Sequence, residues 1–163
     1  MGTRAIYGRA SSPPGPHYIG AFRGSTHSDL VDYSAAIGNA RGTVVAVTPI
    51  AEDVMAHLGR LDRSLKNAVG SLDQPIPVGS QPATAGQLEA VVALAAAVHS
   101  RWVCIYPYAN GSRRTARVWA NWIALRYALP PFVRVKPRPD GLLYAQAAAH
   151  SSRTAPDSAG LPR

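Results

Sequence analysis

Residues 106–117 read Tyr-Pro-Tyr-Ala-Asn-Gly-Ser-Arg-Arg-Thr-Ala-Arg and separate two apolar segments of the chain. Pro107 interrupts the helical periodicity that precedes it, and the following Tyr-Ala-Asn-Gly is typical of a loop. A new helix is predicted to begin near Ser112, so the stretch joins two helices. In that second helix Arg114 and Arg117 are three residues apart and are predicted to share one face.

The beginning of the second helix has the properties of an anion site. The N–H groups of a first helical turn lack acceptors within the helix, and the helix dipole adds about half a positive charge there. Together with Arg114 and Arg117, this end of the helix suits a phosphate group. A solvated, basic helix start is the alternative that the residues alone leave open.

The segments on either side of the junction are each predicted to form a helix with a buried face. The upstream segment predicts a buried helix of about 17 residues with one apolar face. That face consists of Leu88, Val91, Ala95, His99 and Trp102. The downstream helix is predicted over residues 112–129 and ends before two prolines. Its predicted core side consists of Val118, Trp122, Leu125 and Leu129.

The first half of the chain predicts one small β element and one more helix. Residues 38–47 combine turn residues with a β-branched run, which is typical of a strand or hairpin. Thr48 and Pro49 are predicted to cap a helix that continues to about Val69. A last short helix is predicted over residues 142–149. The fold class is therefore mainly α, with flexible ends at residues 1–17 and 151–163.

The composition narrows the function to a soluble protein with an anionic partner. The 163 residues fit one domain, and 17 basic against 9 acidic residues give a net charge of +8. The single cysteine, Cys104, excludes a disulfide framework and a cysteine metal cluster. No uninterrupted apolar run approaches ~20 residues and no secretory leader is present, so we expect a cytoplasmic protein that does not cross a membrane.

The positive charge is concentrated around the junction. Residues 90–139 contain no Asp or Glu but seven arginines and one lysine, whereas the rest of the chain carries nine basic and nine acidic residues. A general compositional bias would spread the excess evenly. The anionic partner is therefore expected at the start of the Ser112 helix.

The junction resembles, without a gap, the signature of the Fic (fido) family, H-x-F-x-[DEN]-G-N-G-R-x-x-R. Tyr106 stands where the family has histidine, and Pro107 matches its usual proline. Tyr108 stands for phenylalanine, Asn110 occupies the Asp/Glu/Asn position, and Gly111 matches the first glycine.

The second half of the signature is matched at its arginines. Ser112 and Arg113 replace the family's Asn and second Gly, whereas Arg114 and Arg117 match both signature arginines. More weakly, residues 20–23 and 38–40 resemble the segments around the family's flap hairpin. The resemblance implies a Fic-like helical bundle with a small β-hairpin flap over residues 18–150.

Members of this family typically transfer a phosphate-containing group, most often AMP from ATP, to a hydroxyl. The resemblance therefore implies ATP or another nucleotide as donor, and a hydroxyl-bearing protein or small molecule as acceptor. It implies Tyr106 at the position of the general base and Asn110 as the ligand of Mg²⁺. The residues implied to form the anion hole or bind phosphate are Gly111, Ser112, Arg113, Arg114 and Arg117.

Three departures from the signature put catalysis in question. A histidine has a pKa near 6.5, whereas a tyrosine phenol has one near 10, so forming a phenolate at pH 7 costs about 4 kcal/mol. That cost slows a base-assisted step about a thousandfold. Tyr106 is therefore a tuned base, a hydrogen-bond donor or a relic. Arg113 adds bulk and charge where glycine admits phosphate. Asn110 is a weaker Mg²⁺ ligand than a carboxylate, so we expect Mg²⁺ to matter less.

Three functions follow from these residues. The first is a divergent Fic-type transferase, and the second is a catalytically impaired Fic-fold module that binds a nucleotide, another phosphate ligand or a partner protein. Nucleic-acid binding through the basic helix ranks third, because no nucleic-acid-binding motif accompanies the arginines. His99 and Cys104 are interpreted as core residues rather than as a replacement base or a nucleophile.

Overall fold

The computed structural model describes residues 18, 20–38 and 43–131. The chain forms α1 (Ser28–Val31), β1 (Ala36–Gly38), β2 (Val44–Val47), a 3-10 turn (Ala51–Asp53), α2 (Val54–Asp73), α3 (Ala85–Ile105) and α4 (Ser112–Arg126). The mainly α fold with one small β element is thereby confirmed. The helix predicted over 142–149 and the flexible ends predicted at 1–17 and 151–163 lie outside the described residues.

The predicted hairpin is present. β1 and β2 pair antiparallel, with Ala36 opposite Val47 and Ile37 opposite Ala46, and the register shifts after Ile37. Ile37 is buried beneath the hairpin against the helices, whereas Val44 and Val47 face solvent. The hairpin therefore lies on the bundle through one face only.

The predicted helix cap at Thr48 is wrong. The Thr48 hydroxyl is buried and donates to the carbonyl oxygen of Ala35 at 2.7 Å, so it fastens the base of the hairpin. The chain then passes through the 3-10 turn before α2 begins at Val54. α2 continues to Asp73, beyond the predicted end at Val69.

α3 is the central helix and is longer than predicted. Thr84 caps its N-terminus by accepting from the N–H of Gln87 at 3.2 Å, and the Gln87 side chain accepts from the N–H of Ala83. Val91, Ala95 and Trp102 are buried as predicted, but Leu88 is exposed. The buried face also includes Val98, Val103 and Ile105.

The predicted core side of α4 is wrong at three of its four residues, whereas Leu129 is partly buried and packs against the apolar core. Val118, Trp122 and Leu125 are 56%, 41% and 57% exposed, and the helix ends at Arg126 rather than at Leu129. The face that packs on α3 carries small residues instead. Its buried members are Ser112, Ala116, Ala120, Ile123 and Ala124. Small side chains let two helix backbones approach closely, so the bulky residues were displaced to the outer face.

Two apolar clusters hold these elements together. One joins α2, α3 and α4 away from the junction and consists of Val69, Ile76, Val91, Ala95, Ala120, Ile123 and Tyr127. The other lies beneath the hairpin and next to the junction and consists of Ile37, Trp102, Val103 and Ala116. The second cluster therefore connects the hairpin directly to the helices that carry the candidate site.

α3 is long and apolar enough, by length and composition, to cross a membrane, and within the described residues it alone meets that criterion. Core helices of soluble proteins meet the same criterion. In this fold α3 packs against α2 and α4.

A partly buried ion pair lies at the end of the bundle away from the junction. Arg126 donates from both Nε and a terminal nitrogen to the carboxylate of Asp73, and the Tyr127 hydroxyl donates to the same carboxylate at 3.0 Å. The hydrogen bond from Arg126 lowers the pKa of Asp73 below its ordinary value, and the bond from Tyr127 adds to this against the opposing effect of burial. Asp73 thus joins the end of α2 to the end of α4.

Asp73→Asn is predicted to lower the free energy of unfolding at pH 7 by about 1.5–3 kcal/mol, because a charged hydrogen-bonded acceptor is lost. A carboxylate whose pKa is lowered by folding contributes stability above its unfolded pKa, and loses that contribution as the pH falls below about 5. Urea unfolding at pH 7 and at acidic pH checks both expectations. The variant should lose less stability on acidification than the wild type.

Asp62→Asn is the matched control. Asp62 pairs with Lys66 one helical turn away at 2.8 Å, but both side chains are mostly exposed. Removing this exposed pair should change stability by less than about 1 kcal/mol. Equal effects of the two substitutions would contradict the role given to Asp73.

Candidate phosphate site at the start of α4

The junction begins with a left-handed turn at Tyr106. Tyr106 follows the last residue of α3, has φ 50° and ψ 59°, and donates its N–H to the carbonyl oxygen of Trp102. A side chain in this backbone conformation is strained by roughly 1–3 kcal/mol. The residue is only 5% exposed, so its side chain lies within the protein.

Ser112 closes the loop onto itself. It is fully buried, its hydroxyl donates to the carbonyl oxygen of Tyr108 at 2.9 Å, and it accepts from the N–H of Tyr108 at 2.9 Å. Gly111 completes the turn with φ 97°, a conformation that glycine adopts without strain. Ser112 therefore shapes the loop with its side chain and has only its N–H left for a ligand.

The first turn of α4 presents free donors. The N–H groups of Arg114 and Thr115 both donate to the carbonyl oxygen of Gly111 at 2.9 Å. The N–H groups of Gly111, Ser112 and Arg113 have no acceptor among the residues that the structure describes. These are the backbone groups predicted for the anion hole, and the structure brings them together at one helix end.

The three signature-region arginines occupy different environments. Arg113 and Arg114 are exposed, and Arg114 donates to the side-chain oxygen of Asn110 at a long 3.4 Å. Arg117 is only 6% exposed, and its Nε has no hydrogen-bond partner within the described part of the chain. Arg114 and Arg117 thus differ in burial although they are three residues apart, and of the two only Arg117 is buried in the protein.

His99 and Cys104, interpreted as core residues, are both only partly buried. Burial lowers the pKa of His99, and the positive charge of Arg117 lowers it further. Burial also raises the pKa of the Cys104 thiol, although Arg101 opposes the shift. His99 is therefore neutral at physiological pH, and Cys104 is a thiol rather than a nucleophilic thiolate.

An aromatic array packs along one side of the loop. The ring of Phe22 stacks on that of Tyr108 with 4.9 Å between centroids. Trp102 lies 6.1 Å from Tyr108 and 5.7 Å from Trp119. Trp119 is partly buried in this packing, whereas Trp122 is exposed.

Sequence reasoning missed one residue beside the loop. Arg23 is fully buried and donates its Nε to the carbonyl oxygen of Tyr106 at 2.6 Å. The next residue back, Phe22, forms an isolated antiparallel bridge with Tyr108. The available signal was the weak flap-like match of residues 20–23, together with one arginine in an otherwise uncharged stretch.

The arrangement is thus a helix, a left-handed turn, a short loop and a second helix with free N–H groups, beside a β-hairpin. Comparison with protein families matches residues 17–124 to the model of the Fic/DOC family. The chain belongs to the Fic/DOC family. No curated protein and no solved structure matches it. Fic domains are generally transferases of AMP or other phosphate-containing groups.

The residues of this Fic domain do not fit a Mg²⁺ site. Asn110, at the metal-binding position of the signature, is neutral, and its side-chain oxygen accepts a hydrogen bond from the Arg114 guanidinium. Within the described residues no group of three His, Cys, Asp or Glu side chains could hold a metal ion. A guanidinium at this position would repel a divalent cation.

Ser112→Ala is predicted to lower the free energy of unfolding by about 1–3 kcal/mol, because it leaves the N–H and carbonyl of Tyr108 unsatisfied. Relative to the amides of α2, the amide of Tyr108 should exchange with solvent faster in this variant than in the wild type. Urea unfolding and amide hydrogen exchange measure the two effects. Unchanged protection at Tyr108 would contradict the closing role of Ser112.

Proposed function

We propose that this Fic domain binds a nucleotide, or a related compound with a phosphate chain, at the N-terminus of α4. The observation that carries the proposal is the set of free N–H groups at Gly111, Ser112 and Arg113 on a helix that also carries the buried, partly unpartnered Arg117. Free amides at a helix N-terminus favour an anion, and an arginine fork favours phosphate oxygens.

The arginines divide the ligand between them in this proposal. Arg117 contributes a desolvated charge, which strengthens its attraction to an anion relative to one in water. Arg113 and Arg114 are exposed at the first turn and reach outward, where the outer phosphates of a chain would extend into solvent. Because no Asp or Glu occurs in residues 90–139, nothing in that stretch opposes the anion.

In this proposal the general base that would take the proton of the acceptor hydroxyl is missing. In transfer of AMP, the acceptor oxygen bonds to the α-phosphorus, the bond from that phosphorus to pyrophosphate breaks, and the acceptor hydroxyl must give up its proton. Tyr106 is 5% exposed and is a phenol rather than an imidazole. We assign it no proton-accepting role, so the acceptor proton passes to solvent water. Transfer by the wild type is therefore slower than with a histidine base by about a thousandfold, within the range that a general base contributes.

Group transfer is the second candidate function, and the retained hairpin favours it. Within the described residues β1 and β2 pair only with each other, which leaves outer edges able to accept an extended segment. In the family the hairpin aligns the acceptor beside the phosphate. The hairpin gives a hydroxyl-bearing segment a place next to the site, even though the base is replaced.

Titration with ATP by isothermal calorimetry tests binding. The double substitution Arg113→Ala with Arg114→Ala should weaken ATP binding by about 10–100-fold, because charged hydrogen bonds to phosphate are lost. Arg63→Ala is the control, because Arg63 is an exposed arginine on α2 and not on the first turn of α4. The control should bind as the wild type does.

The same titration with excess EDTA tests the role of Mg²⁺. Equal affinity with and without EDTA is expected, since arginine charge replaces the metal in this site. Binding that disappears on chelation would contradict the metal-independent site, and equal weakening by the Arg63 substitution would contradict the site itself.

Tyr106→His is predicted to raise transfer. With ATP labelled on the α-phosphate, the variant should label itself or an added hydroxyl acceptor about a thousandfold faster than the wild type. Tyr106→Phe is the matched control and should bind ATP with unchanged affinity. Robust labelling by the wild type that Tyr106→Phe abolishes would instead make Tyr106 a working base.

A further inference from the structure

Arg23 joins three distant parts of the chain through one side chain. It is fully buried, and its donors reach the carbonyl oxygens of Ile105 at 2.8 Å, Tyr106 at 2.6 Å, Tyr33 at 3.0 Å and Pro49 at 3.1 Å. These acceptors lie at the end of α3, after α1 and after β2. A planar guanidinium with its fixed fork of donors fits this set, whereas an ammonium group does not.

The contacts at α3 act on the turn that begins the junction. The last carbonyl groups of a helix lack partners within it and carry partial negative charge, so a cation there is favourable. Tyr106 keeps its left-handed backbone only if its surroundings hold it there. Arg23 does so at two consecutive carbonyl groups, because its Nε donates to that of Tyr106 and its backbone N–H donates to that of Pro107 at 2.8 Å.

The contact at Pro49 acts on the hairpin. β2 ends at Val47 and is followed by Thr48 and then Pro49. The Thr48 hydroxyl donates a hydrogen bond to the carbonyl oxygen of Ala35, the residue immediately before β1. The guanidinium therefore reaches the base of the hairpin and the start of the loop at once. Gly24, next to Arg23, has φ 79° and packs so closely on the carbonyl of Ala51 that a side chain would clash. The backbone at Arg23 is thereby fixed.

We propose that Arg23 is the positioning residue that sets the phosphate loop against the hairpin. Its guanidinium orients the turn at Tyr106, and hence the direction in which the chain enters α4. The same guanidinium also holds the base of the hairpin. Its effect on ligand affinity rests on the proposed function, whereas its effect on the loop and hairpin does not. Arg23 is placed away from the ligand and acts through the backbone of the loop.

Arg23→Lys tests the proposal, since it retains the charge and loses the fork. Amide hydrogen exchange should accelerate in residues 108–113 and 44–47 by about tenfold or more relative to α2. ATP binding, measured by calorimetry, should weaken by about tenfold or more, because the anion hole loses its geometry. Arg23→Met should give a larger loss of the same kind, and if it does not fold, Arg23→Lys alone decides.

Asp73→Asn is the control, because it weakens the hydrogen bonds of another arginine, Arg126, at the other end of the bundle. It should lower stability without selective loosening of residues 108–113 or 44–47. Evenly spread acceleration in Arg23→Lys, or wild-type protection of loop and hairpin, would overturn the proposal. If wild type does not bind ATP but Arg23→Lys still loosens both segments selectively, the proposed function fails and the positioning role stands.

Discussion

The reversal of the chain between α3 and α4 is the constraint on which this Fic domain depends. The turn needs left-handed backbone at Tyr106 and at Gly111, and only the second of these is a glycine. The strain at Tyr106 is held by hydrogen bonds from Arg23, and the loop is closed by Ser112 on Tyr108. The direction of α4, and with it the position of its free N–H groups, follows from this reversal.

In the proposed function, the same reversal separates the part of the site that would bind phosphate from the part that would handle the acceptor proton. The groups proposed for the first part are backbone N–H groups without an acceptor among the described residues, two exposed arginines and the buried Arg117, and all of them lie in α4 or at its cap. The second part is changed, because Tyr106 lies within the protein where the signature has a histidine. The hairpin that would present an acceptor is retained and shares the guanidinium of Arg23 with the loop.

The sequence predicted the elements well and the environments of individual side chains less well. Local signals, such as the prolines and the turn residues before Ser112, determine where helices end, so the junction and the hairpin were found. The face of α4 that is buried depends on how closely the two helix axes of α3 and α4 approach, which the sequence of α4 alone does not reveal. The sequence therefore predicted Val118, Trp122 and Leu125 as the core side instead of the alanine face. Arg23 was missed because its acceptors are backbone carbonyls up to 83 residues away, which no periodicity reveals.

The most direct test of this account is a titration of isotope-labelled protein with inorganic pyrophosphate, followed by the chemical shifts of the backbone amides. A phosphate site at this helix end predicts saturating shifts that are largest at Gly111, Ser112 and Arg113, with smaller shifts at the exposed arginines of α2. Shifts spread evenly over the exposed arginines, with none at the first turn of α4, would contradict a phosphate site at this helix end.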